Sequence, residues 1–272
     1  MNVVIIGGGY LGQLLHTLLP EARVLDWRPA PPTEMARQFG PQYLWRPITA
    51  LPFREFNVIT HVDDAPAQMD AVRRYKEKVG KVNDRGDWAA QFRSAMKGYE
   101  VTLPPCRVEF GMRVDKVNVV DHRLTMGNGE VIKYDWLIST IPLPSLLSLA
   151  GMSTDELNPF ESRPIYLWTR PHVQLSYLYV NYISDNRTPV YRQTTRDGRM
   201  HFESLEPVMP DDGVKVHRLL PGKIYSNSLT AVYRAELRMQ HVLTVGRYGA
   251  WNPDELAHET YFEVQSWLQL VS

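Results

Sequence analysis

Residues Asn2 to Arg28, NVVIIGGGYLGQLLHTLLPEARVLDWR, constrain the fold of this chain more than any other stretch. Val3, Val4, Ile5 and Ile6 form a short apolar run of the kind that a buried parallel strand requires. Gly7, Gly9 and Gly12 then occupy the glycine positions of G-x-G-x-x-G, with Tyr10 and Leu11 between the second and third. The first glycine permits a tight turn, the second lets a pyrophosphate approach the backbone, and the third lets helix and strand pack closely. Leu11, Leu14, Leu15, Leu18 and Leu19 recur at helical spacing, and Pro20 is expected to end that helix. Val24 and Leu25 begin a second strand that ends at Asp26, followed by Trp27 and Arg28. A carboxylate there is placed to accept hydrogen bonds from an adenosine ribose. Strand, glycine turn, helix and acid in register predict a dinucleotide site.

The rest of the chain offers room for one large core or two modest ones, at 272 residues with 44% hydrophobic content. Thirty basic and thirty acidic residues cancel, which removes any global electrostatic case for nucleic acid or an anionic membrane. Cys106 is the single cysteine, so no intrachain disulfide can form, and a reducing cytoplasm is the expected compartment. No apolar run approaches the ~20 residues of a membrane span. The histidines show no metal-ligand spacing, no G-x-S-x-G elbow appears, and no metal is expected.

Further along, Arg28 to Pro32 is proline-rich, and residues 42–62 read as irregular strand and loop. Ala65 to Val79 reads as a helix opened by Asp63 and Asp64 and closed by Gly80. The segment after Cys106 is β-rich, with a hairpin turned at Gly127-Asn128-Gly129. WLISTIPL follows as a buried strand ending at Pro142, and then a short helix stopped by Gly151. Residues 164–208 are rich in Tyr, Val, Thr and Arg and predict an antiparallel sheet. The C-terminus returns to strand, glycine turn and helix. The expected architecture is α/β: a Rossmann-like nucleotide domain (1–62, 104–152 and 240–272) interrupted by a smaller antiparallel-sheet substrate domain with helices (63–103 and 153–239).

With those residues in place, the chain resembles a compact member of the two-domain flavoproteins that include amine oxidases and UDP-galactopyranose mutases. Three segments carry the resemblance: the N-terminal fingerprint, VDKVNVVDHRLTMGNGEVIKYDWLISTIPLPSLLSLAG, and TVGRYGAWNPDELAHETYFEVQSW. The first is shared with NAD enzymes; the other two, in that order, imply FAD. By this resemblance Val114 contacts adenine through its backbone. Thr140 and Pro142 line the ribityl or pyrophosphate region. Gly246, Arg247 and Gly249 present backbone N–H groups to the flavin's polar edge, and Tyr248 and Trp251 stack near the ring or floor the substrate cavity. The Gly-Gly-Arg run usual after the acid is replaced here by Asp26-Trp27-Arg28-Pro29-Ala30-Pro31-Pro32, with Arg28 as the residue to reach the pyrophosphate.

Since a flavin carries the redox chemistry, the remaining candidates are positioning groups. Lys223, in a Pro-Gly turn, is the candidate that orders a water near the flavin, or meets a substrate anion; Tyr248 is the second catalytic candidate. Arg192, Arg196 and Tyr191 suit an anionic or planar substrate. The leading expectation is oxidation of a small-molecule amine by hydride transfer, with dioxygen as oxidant. The alternatives are a mutase-like sugar-nucleotide isomerase using reduced flavin, a flavoenzyme acting on an amino-modified nucleobase in DNA, and a non-catalytic nucleotide-binding scaffold. The sequence leaves the oligomeric state open.

Overall fold

A computed structural model describes residues 1–31, 43–65, 68–80, 96–152, 160–210, 213–225 and 229–271. Pro32, residues 66–67 of the expected helix, and residues 81–95 and 153–159 of the expected substrate domain lie outside that set. In chain order the strands are β1 (Val3–Ile6), β2 (Arg23–Asp26), β3 (Phe53–Val62), β4 (Met96–Val101), β5 (Val108–Phe110), β6 (Val114–Asn118), β7 (Arg123–Met126) and β8 (Val131–Lys133). They continue as β9 (Trp136–Ser139), β10 (Ser162–Pro171), β11 (Leu178–Tyr182), β12 (Val190–Arg196), β13 (Arg199–Ser204), β14 (His217–Ile224) and β15 (Val242–Thr244). The helices are α1 (Tyr10–His16), α2 (Met69–Lys78), α3 (Leu143–Leu149), α4 (Leu229–Met239), α5 (Gly246–Gly249) and α6 (Ala257–Val271). Two compact units result: residues 1–53, 101–161 and 224–272, and residues 54–100 and 162–223. Among the described residues no helix is long and apolar enough to cross a membrane.

The first unit is built on a five-stranded parallel sheet in the order β15-β9-β1-β2-β5. Because side chains alternate along a strand, β1 feeds two separate cores. Val3 and Ile5 face Leu15, Val264 and Trp267, which belong to α1 and α6. Val4 and Ile6 face Leu143, Leu146 and Leu147 of α3, together with Leu124, Met126 and Ile132 of a three-stranded sheet, β6-β7-β8. Both faces of β1 are therefore covered, which is why its sequence is apolar throughout rather than alternating. The predicted hairpin forms as expected: β7 and β8 pair across residues 127–130, with Gly129 at φ 86°.

Helix α1 is shorter than its leucine pattern. It ends at His16, after which the amides of Leu18 and Leu19 donate to the carbonyls of Leu15 (3.0 Å) and His16 (3.1 Å) in tighter i to i−3 turns. Pro20 explains this, since it cannot donate to the carbonyl four residues earlier and its ring crowds that carbonyl. Leu18 and Leu19 still pack on the core, so the apolar face outlasts the helix that was expected to carry it.

The second unit is a seven-stranded sheet, β14-β10-β13-β12-β11-β3-β4, antiparallel among β10 to β13 and parallel between β11 and β3. The segment expected to be irregular supplies β3, ten residues long. Helix α2 packs Tyr75 edge-on to Tyr182, 5.0 Å between ring centres, and Lys78 donates to the carbonyls of Asp185 (2.6 Å) and Val190 (2.7 Å). This helix starts at Met69, with Gln68 as its cap, so Asp63 and Asp64 stand in a turn ahead of it instead of in its first turn.

Candidate functional site

The sheet order of the first unit reverses beside β1: β2 and β5 lie on one side, β9 and β15 on the other. In open α/β sheets such a switch point, at the carboxyl ends of the strands, is where ligands bind. Gly7 leaves β1 there with φ 101°, a conformation natural to glycine, and its amide donates to the carbonyl of Leu25 (2.9 Å). The Thr140 hydroxyl donates toward the carbonyls of Ile6 (3.2 Å) and Gly7 (3.1 Å), so a Cβ on Gly7 would fall within that side chain. A Cβ on Gly12 would run into the Gly7 carbonyl, which is the close helix-to-strand approach expected of the third glycine. Gly8 is closed as well, by Val108 and Asp26. Gly9 alone in this turn faces open space, with nothing within 4 Å of an added Cβ.

Asp26 is 3% exposed, and its carboxylate is already fully engaged. Oδ1 accepts the Arg28 amide (2.9 Å) and Nε (2.8 Å); Oδ2 accepts the Gly8 amide (2.9 Å) and the Arg28 terminal nitrogen. Burial alone would push this carboxyl up, but the Arg28 guanidinium and amide, with the Gly8 amide, hold it below the usual carboxylate range. The four acceptor positions of the carboxylate are thus taken. A ribose can reach Asp26 only once the Arg28 side chain has moved away. Arg28, expected to reach toward a pyrophosphate, instead turns back on the acid two residues earlier. Trp27, between them, is 67% exposed.

The C-terminal segment converges on the same strand ends. Val245 donates to the Ser139 carbonyl (3.0 Å), and a Cβ on Gly249 would lie 2.5 Å from that oxygen. Leu11 fills the space where Gly246 lacks a side chain. The Gly246 amide, expected to face a flavin, donates to Glu255 Oε1 (2.6 Å), which also accepts the Thr260 hydroxyl (2.8 Å). Burial pushes the Glu255 carboxyl up, against the opposing effect of those two hydrogen bonds. Sequence reading missed Glu255 because nothing in its local pattern marks an acid nine residues downstream as the partner of a turn amide. Arg247 is exposed, and Tyr248 is half-buried against the core. Trp251, expected to stack near the flavin ring or floor the substrate cavity, is a core residue, 2% exposed and edge-on to Phe160 at 5.4 Å. Thr140 and Pro142 bracket the end of β9 and the cap of α3, while Val114 opens β6 in the small sheet.

The other predicted residues belong to the second unit. Lys223 lies inside β14, not in a turn: Gly222 takes φ 70° so that the backbone can press against Arg163 and Ile165 of β10. The Lys223 ammonium sits 5.0 Å from the centre of the Tyr191 ring. Tyr191 is 5% exposed, and its hydroxyl donates to Glu203, which also binds Arg192 through Nε (2.8 Å) and a terminal nitrogen. Arg196 bonds to Glu100 (2.5 Å) and Asp197 (3.0 Å) and lies over Phe56. Both arginines expected to greet a substrate anion are therefore held by carboxylates of their own sheet.

No family model and no curated protein matches this sequence. Solved structures do match in three dimensions. Reduced UDP-galactopyranose mutase aligns over 99% of this chain and 96% of its own, with a TM-score of 0.63 at 14% identity. A CLA-producing fatty acid isomerase from P. acnes covers 98% of both chains, with a TM-score of 0.54 at 10% identity. The tryptophan 5-halogenase MibH covers 100% of this chain and 66% of its own, with a TM-score of 0.51 at 14% identity. The chain shares the mixed α/β fold of these structures.

Proposed function

We propose that this chain is an FAD-dependent oxidoreductase whose reaction is hydride removal from the C–N bond of an amine. The observation that supports cofactor binding is the convergence of three distant segments, Gly7–Gly12, Ser139–Thr140 and Val245–Gly249, at the switch point of one sheet. The residues fit the group: among the fingerprint glycines only Gly9 opens onto free space, which is the position over which a pyrophosphate passes. When bound, FAD supplies the hydride acceptor. The chain's own residues set the turn (Gly7 with Thr140), present the ribose acceptor (Asp26, after release by Arg28) and fix the closing loop (Glu255 on the Gly246 amide). The C–N specificity, with Lys223 and Tyr248 as positioning groups, rests on the family resemblance.

The purified 272-residue chain is expected to absorb near ~450 nm or to take up added FAD and then do so. Bleaching of that band under anaerobic conditions on adding a primary amine, without dithionite, supports amine oxidation. A bound flavin that amines never bleach, but that turns over sugar nucleotide after chemical reduction, replaces it with a redox-neutral reaction. Protein that refuses FAD altogether overturns the flavoenzyme reading.

A further inference from the structure

His258 lies in the first turn of α6, and the cofactor reading makes no use of it. It is 3% exposed, and among the described residues its Nδ1 is buried with no hydrogen-bond partner. A neutral imidazole leaves only a lone pair unmet there. A protonated ring puts a charged N–H at the same point with no acceptor, which is the costlier burial. The position opposes a cation in other ways too. The first turn of a helix carries the positive end of its dipole. Arg46, in the segment before β3, adds a like charge, while the neighbouring Glu259 favours the protonated ring. Glu259 is exposed, and its carboxylate already accepts the Leu256 amide (3.0 Å) as part of the helix cap. Burial prevails and holds the His258 imidazole below its ordinary range.

The hydrogen bonds around His258 give that preference a consequence. Glu255 accepts the Gly246 amide (2.6 Å) and the Thr260 hydroxyl (2.8 Å), which ties α5 to the start of α6. The Thr260 amide donates to the Leu256 carbonyl (3.0 Å) and closes the helical turn that contains His258. A proton can settle on Nδ1 only when that turn opens, and opening it parts the Thr260 end of the tie. Glu255, acted on by Arg234 and Glu263, is the other titratable group here. Its carboxyl is held above the ordinary range by burial, so its own protonation as pH falls favours the closed form and works against His258.

We propose that His258 makes the junction of α5 and α6 an acid-opened latch, closed around a neutral imidazole and opened when the ring takes a proton. The sign follows from the unfolded imidazole, which titrates near 6.5. The stability that the closed junction draws from a neutral ring is fully present above about pH 6.5 and is lost as pH falls toward the lowered folded value. For one proton, the opening equilibrium rises up to about tenfold between pH 7.5 and 5.5. On the cofactor reading above, on which this last consequence rests, the same opening loosens the loop that closes on FAD.

Hydrogen–deuterium exchange of the 272-residue chain at pH 7.5 and 5.5, corrected for the intrinsic pH dependence of exchange, tests this. In the parent, the segment from Gly246 to Thr260 is expected to exchange up to about tenfold faster at the lower pH. In His258→Gln and His258→Leu, whose new side chains do not titrate, it should exchange no faster at pH 5.5 than at 7.5. Should either variant fail to fold, ring ¹⁵N NMR of the parent gives a second reading: His258 should stay neutral at pH 5.5 in molecules whose junction is closed. Equal protection of the parent at both pH values, acid loosening retained in the variants, or a protonated His258 in a junction that stays protected each overturns the proposal. Failure to take up FAD would sink the cofactor reading alone and leave these outcomes as they stand.

Discussion

Gly9 and Gly12 share a motif but do opposite jobs, and substitution separates them. Gly9 sits at φ −70° and ψ −171°, a conformation any residue adopts, and an added methyl group meets nothing. Gly9→Ala should leave apo stability within about 0.5 kcal/mol of the parent in a urea titration. The same methyl group occupies the space offered to a pyrophosphate, so retention of FAD should be lost. Retention of FAD by a folded Gly9→Ala protein would place the cofactor elsewhere. Arg28 provides a second separation. Arg28→Ala removes two charge-assisted bonds from a partly exposed pair, costing the apo protein about 1–3 kcal/mol. It also uncovers the ribose acceptor, so the rise in Tm on adding FAD should be larger in the variant than in the parent. The pH dependence has a defined sign. Asp26 has a folded pKa held below its unfolded value, about 3.9. The stability it contributes is present above that value and is lost as pH falls through the lowered folded value. Arg28→Ala should flatten that part of the acid-unfolding profile.

Among the elements, the short helix α5 depends on its neighbour's backbone. Gly249 lies against the Ser139 carbonyl at the end of β9, and no flexible side chain is there to give way. Gly249→Ala should cost about 2–4 kcal/mol in chemical denaturation, and loss of FAD should accompany it. Parent-like stability in that variant would show that α5 can drift from β9 without harm. Which elements could be read in advance follows from how local their causes are. The Gly127–Gly129 hairpin rests on interactions within a few residues, and β1 and the glycine turn, though completed by distant partners such as Thr140, carry their signal in a local pattern of apolar residues and glycines, so all are visible in the sequence. Lys223 misled, because Pro-Gly signals a turn in isolation; here contact with β10 draws Gly222 into a strand. Trp251 misled in a different way: a tryptophan beside a glycine loop suits a ring platform and a core equally, and only Phe160 and the packing around it decide. The pairing of Arg28 with Asp26 is local, yet the rule that assigns the acid to ribose carries no information on what holds the acid before ribose arrives.

Taken together, the two units draw on the chain in alternation. Each of the first unit's cores needs residues from early and late segments: Val3, Ile138 and Trp267 share one, and Val4, Leu146 and Trp251 the other. A fragment of residues 1–161 keeps β1, β2, β5 and β9 but lacks β15, Trp251 and α6. It should show no cooperative unfolding transition and take up no FAD, whereas the full chain at a hundredfold excess of ligand over Kd should gain about 2.7 kcal/mol. Cooperative melting of that fragment would show that the late segments decorate an already stable unit. The interleaving also has a meaning in time. During synthesis the glycine turn is made before Thr140, which closes over Gly7, and Thr140 before Gly246, against which Leu11 packs. Loading of the proposed cofactor must therefore wait for the segment around Gly246, and a translation product interrupted before it should be colourless.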